Sequence, residues 1–208
     1  MIQQDYPNFE HIIYDGGSED ETVAILRKYP HLKWVSEKDS GQSNAVNKGF
    51  KKASGEIIAW INSDDYYQAG AFSVVADFFL KNPDKSIVMG DCNLVDEDGR
   101  IIDRVLNYER GFEELRKYRI GRSVPTQPAI FFRRRLLQEC GLLDEMLHYG
   151  MDYDLWMRFA QRHRFYHIGI TFANYRFHSK SKNRFQGWSN CLPEWEAVAK
   201  KYNMAKAV

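Results

Sequence analysis

Apolar and polar positions fall in alternating blocks along this chain, and the period changes from block to block. HIIYD, residues 11–15, is a short apolar run that ends in Asp15-Gly16-Gly17-Ser18. SEDETVAILRKYP follows and predicts a helix: Ser18 with Glu21 three residues on reads as a capping box, and Pro30 closes the segment. HLKWVSE predicts a strand. GQSNAVNKGFKKASG predicts a helix, with Ala45, Val46, Phe50 and Ala53 near one stripe and Gly55 past the end. EIIAWIN predicts another strand, and GAFSVVADFFLKNP an amphipathic helix stopped at Pro83. In SIVMGDCNLVDEDGRIIDRVL, Asp98-Gly99 separates two extended runs, a hairpin signal. Strand and helix alternate up to residue 83, which predicts an α/β layer fold with a mainly parallel sheet; beyond that the order is mixed.

Composition narrows the picture. A chain of 208 residues suffices for one domain with a full core. Its net charge of +1 gives no footprint for general nucleic-acid binding. The apolar runs are too short to span a membrane, and no apolar segment of signal-peptide type follows Met1. Cys92, Cys140 and Cys191 are widely spaced and odd in number, which reads as three reduced, mostly buried thiols in a cytosolic protein.

The chemistry gathers at the strand ends. In parallel α/β sheets, ligands sit beyond the carboxyl ends of the strands. Here those ends carry Asp15-Gly16-Gly17-Ser18, then Glu37-Lys38-Asp39-Ser40-Gly41-Gln42, then Asn62-Ser63-Asp64-Asp65. Each aspartate alone reads equally well as a turn or helix cap. All three on one edge point to a site. Gly16 and Gly17 let a ligand approach the backbone, and the helix starts after Ser18 and Gly41 favour an anion. Adjacent carboxylates beside phosphate-binding loops suit Mg²⁺ or Mn²⁺, which pair one or two carboxylates with substrate phosphates.

Four stretches then make a specific match: YPNFEHIIYDGGSEDET, EKDSGQSNAVNKGFKKASGEIIAWINSDD, TQPAIFFRRRLLQECGLLDEMLHYGMDYDLWMRFA and YRFHSKS. In this order they resemble an inverting family-2 glycosyltransferase of the GT-A, Rossmann-like fold. The resemblance implies a nucleotide-diphosphate sugar donor (a UDP-, dTDP- or GDP-sugar) and a glycan or lipid-linked acceptor. It implies Mn²⁺ or Mg²⁺ at Asp64 and Asp65, with His178 as a further contact. Asn62 stands where an aspartate is commonest in the family motif, and suits a ribose hydroxyl better than a metal. The donor side then comprises Asp15, Gly17, Asp39, Gln42, Asn62 and Ser63. Asp152 matches the family's general base, with Met151 in place of the usual glutamate. The resemblance further implies cytoplasmic work, with peripheral association at the inner face of the membrane, in surface polysaccharide or glycan synthesis.

Residues 1–105 would form the nucleotide-sugar and metal half, 106–185 the acceptor and base half, and 186–208 a helical tail. In the second half Asp152 precedes a helix whose Leu155, Trp156 and Phe159 suit a buried face, with Asp154 as its cap. Read locally, Asp152 is a cap or a base, and His178 is structural or a ligand. Arg176, Lys180, Lys182 and Arg184 form a solvated face or a flap over diphosphate. Tyr66, Tyr67 and Tyr149 adjoin the motifs and could stack on sugar rings. Arg133, Arg134 and Arg135 read as solvated or diphosphate-facing at a helix start. No Gln-x-x-Arg-Trp signature of processive synthases is present, which favours single additions.

One departure from the family stands out. A first strand, placed in mid-sheet, and most of a first helix precede YPNFEHII in the family and are lacking here. Three outcomes follow: an N-terminally truncated sheet, pairing supplied by another copy, or closure of the remaining strands. Two function classes therefore stand: a transferase, or a catalytically weak binding fragment. A nucleotidyltransferase would open with a basic, glycine-rich phosphate loop, and none is present.

Overall fold

A computed structural model describes residues 4–117, 124–179, 181 and 187–202. The chain runs β1 (His11–Asp15), α1 (Thr22–Leu26), β2 (Leu32–Ser36), α2 (Gln42–Lys52), β3 (Ile57–Ile58) and β4 (Tyr66–Tyr67). It continues α3 (Ala71–Lys81), β5 (Ile87–Val95), β6 (Ile101–Val105) and α4 (Phe112–Arg116). A 3-10 turn at Gln127–Ala129 leads into β7 (Ile130–Arg133), α5 (Arg135–Cys140), α6 (Met151–Ala160), β8 (Tyr166–Arg176) and α7 (Gly187–Lys201).

The described strands form two sheets. β1 and β2 pair in parallel; the other sheet has the order β3-β7-β5-β8-β4, with β6 on the far half of β5. β1 is paired only to β2 and β3 only to β7 among the described residues, so the strands do not close into one sheet. The expected mixed α/β architecture is present, but parallel pairing is confined to β1–β2 and β5–β8. The other four pairings are antiparallel: β6 follows β5 in a hairpin, and β3–β7, β4–β8 and β5–β7 join strands distant in sequence.

β5 is the spine. Its alternating side chains feed two cores: Ile87 and Met89 join Phe132, Trp156 and Phe159, while Val88 and Cys92 join Val75, Phe79 and Phe172. The register of β5 against β8 shifts between Met89 and Cys92. Gly90 sits at that shift, where a Cβ would stand 2.4 Å from the carbonyl oxygen of Ile170. Only glycine allows so close an approach.

Several local expectations are corrected. Ser18 caps no helix: its hydroxyl donates to Asp15, and α1 starts at Thr22, whose N–H donates to Asp20 at 2.9 Å. The strand expected over EIIAWIN is paired only at Ile57–Ile58. Trp60 leaves the sheet to stack on Trp156 at 5.2 Å, and Gln127 Nε2 takes its carbonyl at 2.6 Å. The buried face of α2 is polar as well as apolar, with Ser43 and Asn47 buried beside Phe50. Arg133 is the last residue of β7, not a helix residue, and it binds Glu56 and the carbonyls of Lys85 and Phe79. Arg134 binds the Gly55 carbonyl and Arg135 the Ser86 hydroxyl, so the arginines brace the frame. Cys92 and Cys191 are buried, and Cys140 is half-buried. Among the described residues no helix is long and apolar enough to cross a membrane.

Candidate functional site

The Asn62–Asp65 segment is a turn closed by the Asp65 N–H on the Asn62 carbonyl at 3.2 Å. It leaves the carboxylates of Asp64 and Asp65 in different settings. Asp64 is partly exposed, and its Oδ2 lies 3.0 Å from Nε2 of His178, which follows β8. The His178 N–H donates to Ser181 Oγ at 2.8 Å, and Ser181 donates its N–H back to the His178 carbonyl at 3.0 Å. That reciprocal turn fixes the imidazole beside Asp64.

Asp65 points inward. Its Oδ1 accepts the Arg176 N–H at 2.9 Å, and its Oδ2 accepts from Asn62 Nδ2 at 3.2 Å. Burial, reinforced by the charge of Asp64, pushes its carboxyl up to about 6, against the pull of the Arg176 N–H. The Arg176 guanidinium holds the carbonyls of Asp64, Asp96 and Glu97, clamping the turn against the β5–β6 hairpin. Asp64 and His178 thus make a pair. Among the described residues no three His, Cys, Asp or Glu side chains stand together as a metal cage.

The donor-side residues reach this turn through Gln42. Gln42, first residue of α2, donates to Asn62 Oδ1 at 2.8 Å. Asp39 accepts the Gly41 N–H at 2.8 Å and so sets the chain into α2. Asp15 stands at the end of β1, tied to Ser36 Oγ at 2.6 Å and to the Ser18 N–H at 3.0 Å. Gly17 holds φ at +84°, the left-handed turn that brings Ser18 under Asp15. Hydrogen bonds from Ser18 and Ser36 hold the Asp15 carboxyl below its ordinary value. Ser63 is exposed at the tip of its turn.

Asp152 is the second residue of α6, and its Oδ1 accepts the Tyr153 N–H at 2.7 Å. Asp154, expected as the cap, is instead buried among Arg158, Lys201 and Tyr202. Burial pushes its carboxyl up, and Lys201 and Arg158 outweigh that, leaving it below the ordinary value. The segment leading to Asp152 abuts the start of α2: Ser40–Ser43 and Glu145, Leu147 and His148 line one small cleft. Ser43 Oγ donates to the Leu147 carbonyl at 3.0 Å, and Asn47 pairs with both the N–H and the carbonyl of Leu143. Neither Ser43 nor Asn47 stands out in the sequence, since a polar residue on an amphipathic helix reads as solvent-facing.

Of the tyrosines, Tyr67 is buried in the core and therefore unable to stack on a sugar. Tyr66 is exposed beneath the Arg176 guanidinium at 5.6 Å. Lys180, Lys182 and Arg184 of the expected basic flap lie outside the described residues; Arg176 is committed to carbonyls.

Comparison with known proteins matches this geometry to a family. The model of glycosyl transferase family 2 matches residues 1–141. An uncharacterized glycosyltransferase of Rickettsia bellii is 25% identical over 96% of this chain, which spans 30% of that relative's length. A PGL/p-HBAD biosynthesis glycosyltransferase of Mycobacterium bovis is 28% identical over 94% of this chain and 73% of its own. S. aureus TarS 1-349 in complex with UDP-GlcNAc superposes with a TM-score of 0.73 at 17% identity, over 99% of this chain and 61% of that one. The chain is a member of glycosyl transferase family 2 with a GT-A fold.

Proposed function

We propose that this chain transfers a sugar, with inversion, from a nucleotide-diphosphate donor to an acceptor hydroxyl in surface polysaccharide or glycan synthesis. The observation that carries the reading is the contact between Asp64 and His178, which brings residues 114 positions apart to one rim. Gln42 and Asn62 are bonded on that same rim, and Gln42 also lines the cleft shared with Glu145, Leu147 and His148, the segment that leads to Asp152.

The residues fit a divalent cation held by a minimal protein set. One exposed carboxylate and one imidazole leave the remaining positions to diphosphate oxygens and water, the mode Mg²⁺ and Mn²⁺ commonly use. Asp64 and His178 would hold it, with Asp65 bracing the turn behind them. When bound, Mn²⁺ or Mg²⁺ offsets the charge that develops on the departing diphosphate. Asp15 and Asp39 face the nucleoside side, and Gln42, Asn62 and Ser63 the ribose and diphosphate side. Asp152 takes the proton of the acceptor hydroxyl as the new bond to C1 forms and the bond to diphosphate breaks. The TarS complex with UDP-GlcNAc supports a UDP-sugar as the first donor to try. The acceptor is a glycan or lipid-linked, and transfer occurs on the cytoplasmic side of the membrane.

The test is calorimetry with UDP-, dTDP- and GDP-sugars, with and without Mn²⁺. Metal-dependent micromolar binding supports the enzyme. Binding of none of them supports a second reading, a weak binding module, which the edges of β1 and β3, unpaired among the described residues, favour. Those edges also support self-association, and a monomer at all concentrations in sedimentation would exclude it.

A further inference from the structure

The helix α7 reads in sequence as a tail, yet it ends up over the first turn of α6. Glu194 is the point of contact. Its carboxylate accepts three consecutive backbone N–H groups: His148 at 2.9 Å, Tyr149 at 2.6 Å and Gly150 at 2.9 Å. Gly150 is the N-cap of α6, and Asp152 stands two residues on. Trp195 Nε1 donates to the Tyr149 carbonyl at 3.0 Å, so the same peptide is gripped on both sides. Lys201 reaches Asp154 at 2.8 Å one turn further along. Gly150 is pressed under α7, where a Cβ would meet Trp195 at 3.3 Å and Val198 at 3.4 Å.

Gly150 is the N-cap of the helix and His148 and Tyr149 lead into it, so the carboxylate binds the entering loop at the positive end of the α6 dipole. Burial alone would push the Glu194 carboxyl up, and the three N–H groups outweigh it, holding the side chain below its ordinary value. The opposite side of the 143–150 segment is held by Ser43 and Asn47 of α2. A loop fixed from two helices has little freedom, and the carboxylate that follows it inherits that restriction.

We propose that Glu194 is a positioning residue for Asp152, which makes α7 a working part of the acceptor side. The proposal rests on the reading of Asp152 as the base. Its two predicted signatures are independent of that reading. The amides of His148, Tyr149 and Gly150 are protected from hydrogen exchange, and the Tyr153 amide, bonded to Asp152, reports titration of that carboxyl.

The experiment compares the wild-type chain, Glu194→Gln and Asp152→Asn by amide-resolved NMR and by UDP release from UDP-GlcNAc with Mn²⁺. Glu194→Gln keeps the shape and removes the charge, and a melting curve checks that the fold survives. Asp152→Asn identifies the Asp152 step in the Tyr153 titration by abolishing it. The expected result is exchange at least tenfold faster at positions 148–150 in Glu194→Gln, a displaced Tyr153 titration, and slower UDP release with unchanged UDP affinity. Unchanged exchange at 148–150 and an unmoved Tyr153 titration overturn the proposal. UDP release that persists in Asp152→Asn while Glu194→Gln alters exchange and titration refutes Asp152 as base and leaves the latch as architecture, which overturns the positioning role. Should Glu194→Gln unfold, Trp195→Phe, which takes the indole N–H from the Tyr149 carbonyl, must raise exchange at Tyr149 and Gly150; wild-type protection there overturns the proposal.

Discussion

Asp64 and Asp65 are neighbours with opposite fates. Asp64 faces His178 in the open, and Asp65 is buried with its carboxyl raised to about 6. A raised acid contributes stability that is fully present below the unfolded pKa and is lost as pH climbs through the folded one. Asp65 therefore weakens the fold progressively between about pH 4 and pH 6. Asp65→Asn should gain on the wild type across that window, by at most about 3 kcal/mol, in urea unfolding at pH 4 and pH 7. His178→Ala should leave the fold intact and weaken Mn²⁺-dependent UDP binding by roughly tenfold or more in calorimetry. Asp152→Asn should lower transfer by about 10²–10⁴-fold and leave UDP affinity unchanged. Equal loss of both would remove Asp152 as the base. The Asp64–His178 pairing was legible in sequence because it rides on family motifs. The inward turn of Asp65 was not, since it depends on the Arg176 N–H, 111 residues away.

At the scale of elements, local signals worked where local forces decide. α2 and α3 lie where their apolar spacing puts them, and Asp98-Gly99 does turn the β5–β6 hairpin. They failed where a distant partner intervened. Ser18 and Glu21 have the spacing of a capping box, but Asp15 takes the hydroxyl. Trp60 carries strand character, but stacking on Trp156 draws it out of the sheet. Arg133 reads as a surface charge, but its site is enclosed by Glu56 and two carbonyls. Glu194 has no local signature, because its three donors lie 44 to 46 residues away. The β5–β8 crossing offers a direct test of tertiary constraint. Gly90→Ala forces a methyl group against the Ile170 carbonyl and the Phe172 ring, and should lower stability by about 1–3 kcal/mol or more in urea unfolding.

Over the whole molecule, Glu10, just ahead of β1, ties the small β1–β2 sheet to the link between α2 and β3. Its carboxylate accepts the Ser54 and Gly55 N–H groups at 2.6 and 3.0 Å and pairs with Lys33 at 2.7 Å. Burial opposes its ionisation, but those partners lower its pKa from the ordinary 4.5 to about 2. A lowered acid stabilises above the unfolded value and loses that contribution as pH falls through the folded one. The β1 and β2 amides should therefore lose protection between pH 4.5 and pH 2 before β5 does, and Glu10→Ala should produce that loss at neutral pH. Simultaneous loss in β1 and β5 would show that the two sheets unfold as one unit.

The 114-residue separation of Asp64 and His178 also bears on how the protein is made. A ribosome delivers Asp64 long before its partner, and the β5–β8 pairing that sets the partner's place waits equally long. A nascent chain that has released only the amino-terminal half holds its acidic turn without the imidazole. Binding competence should then arrive abruptly in chains arrested at increasing lengths, once the segment beyond Ser181 has cleared the exit tunnel.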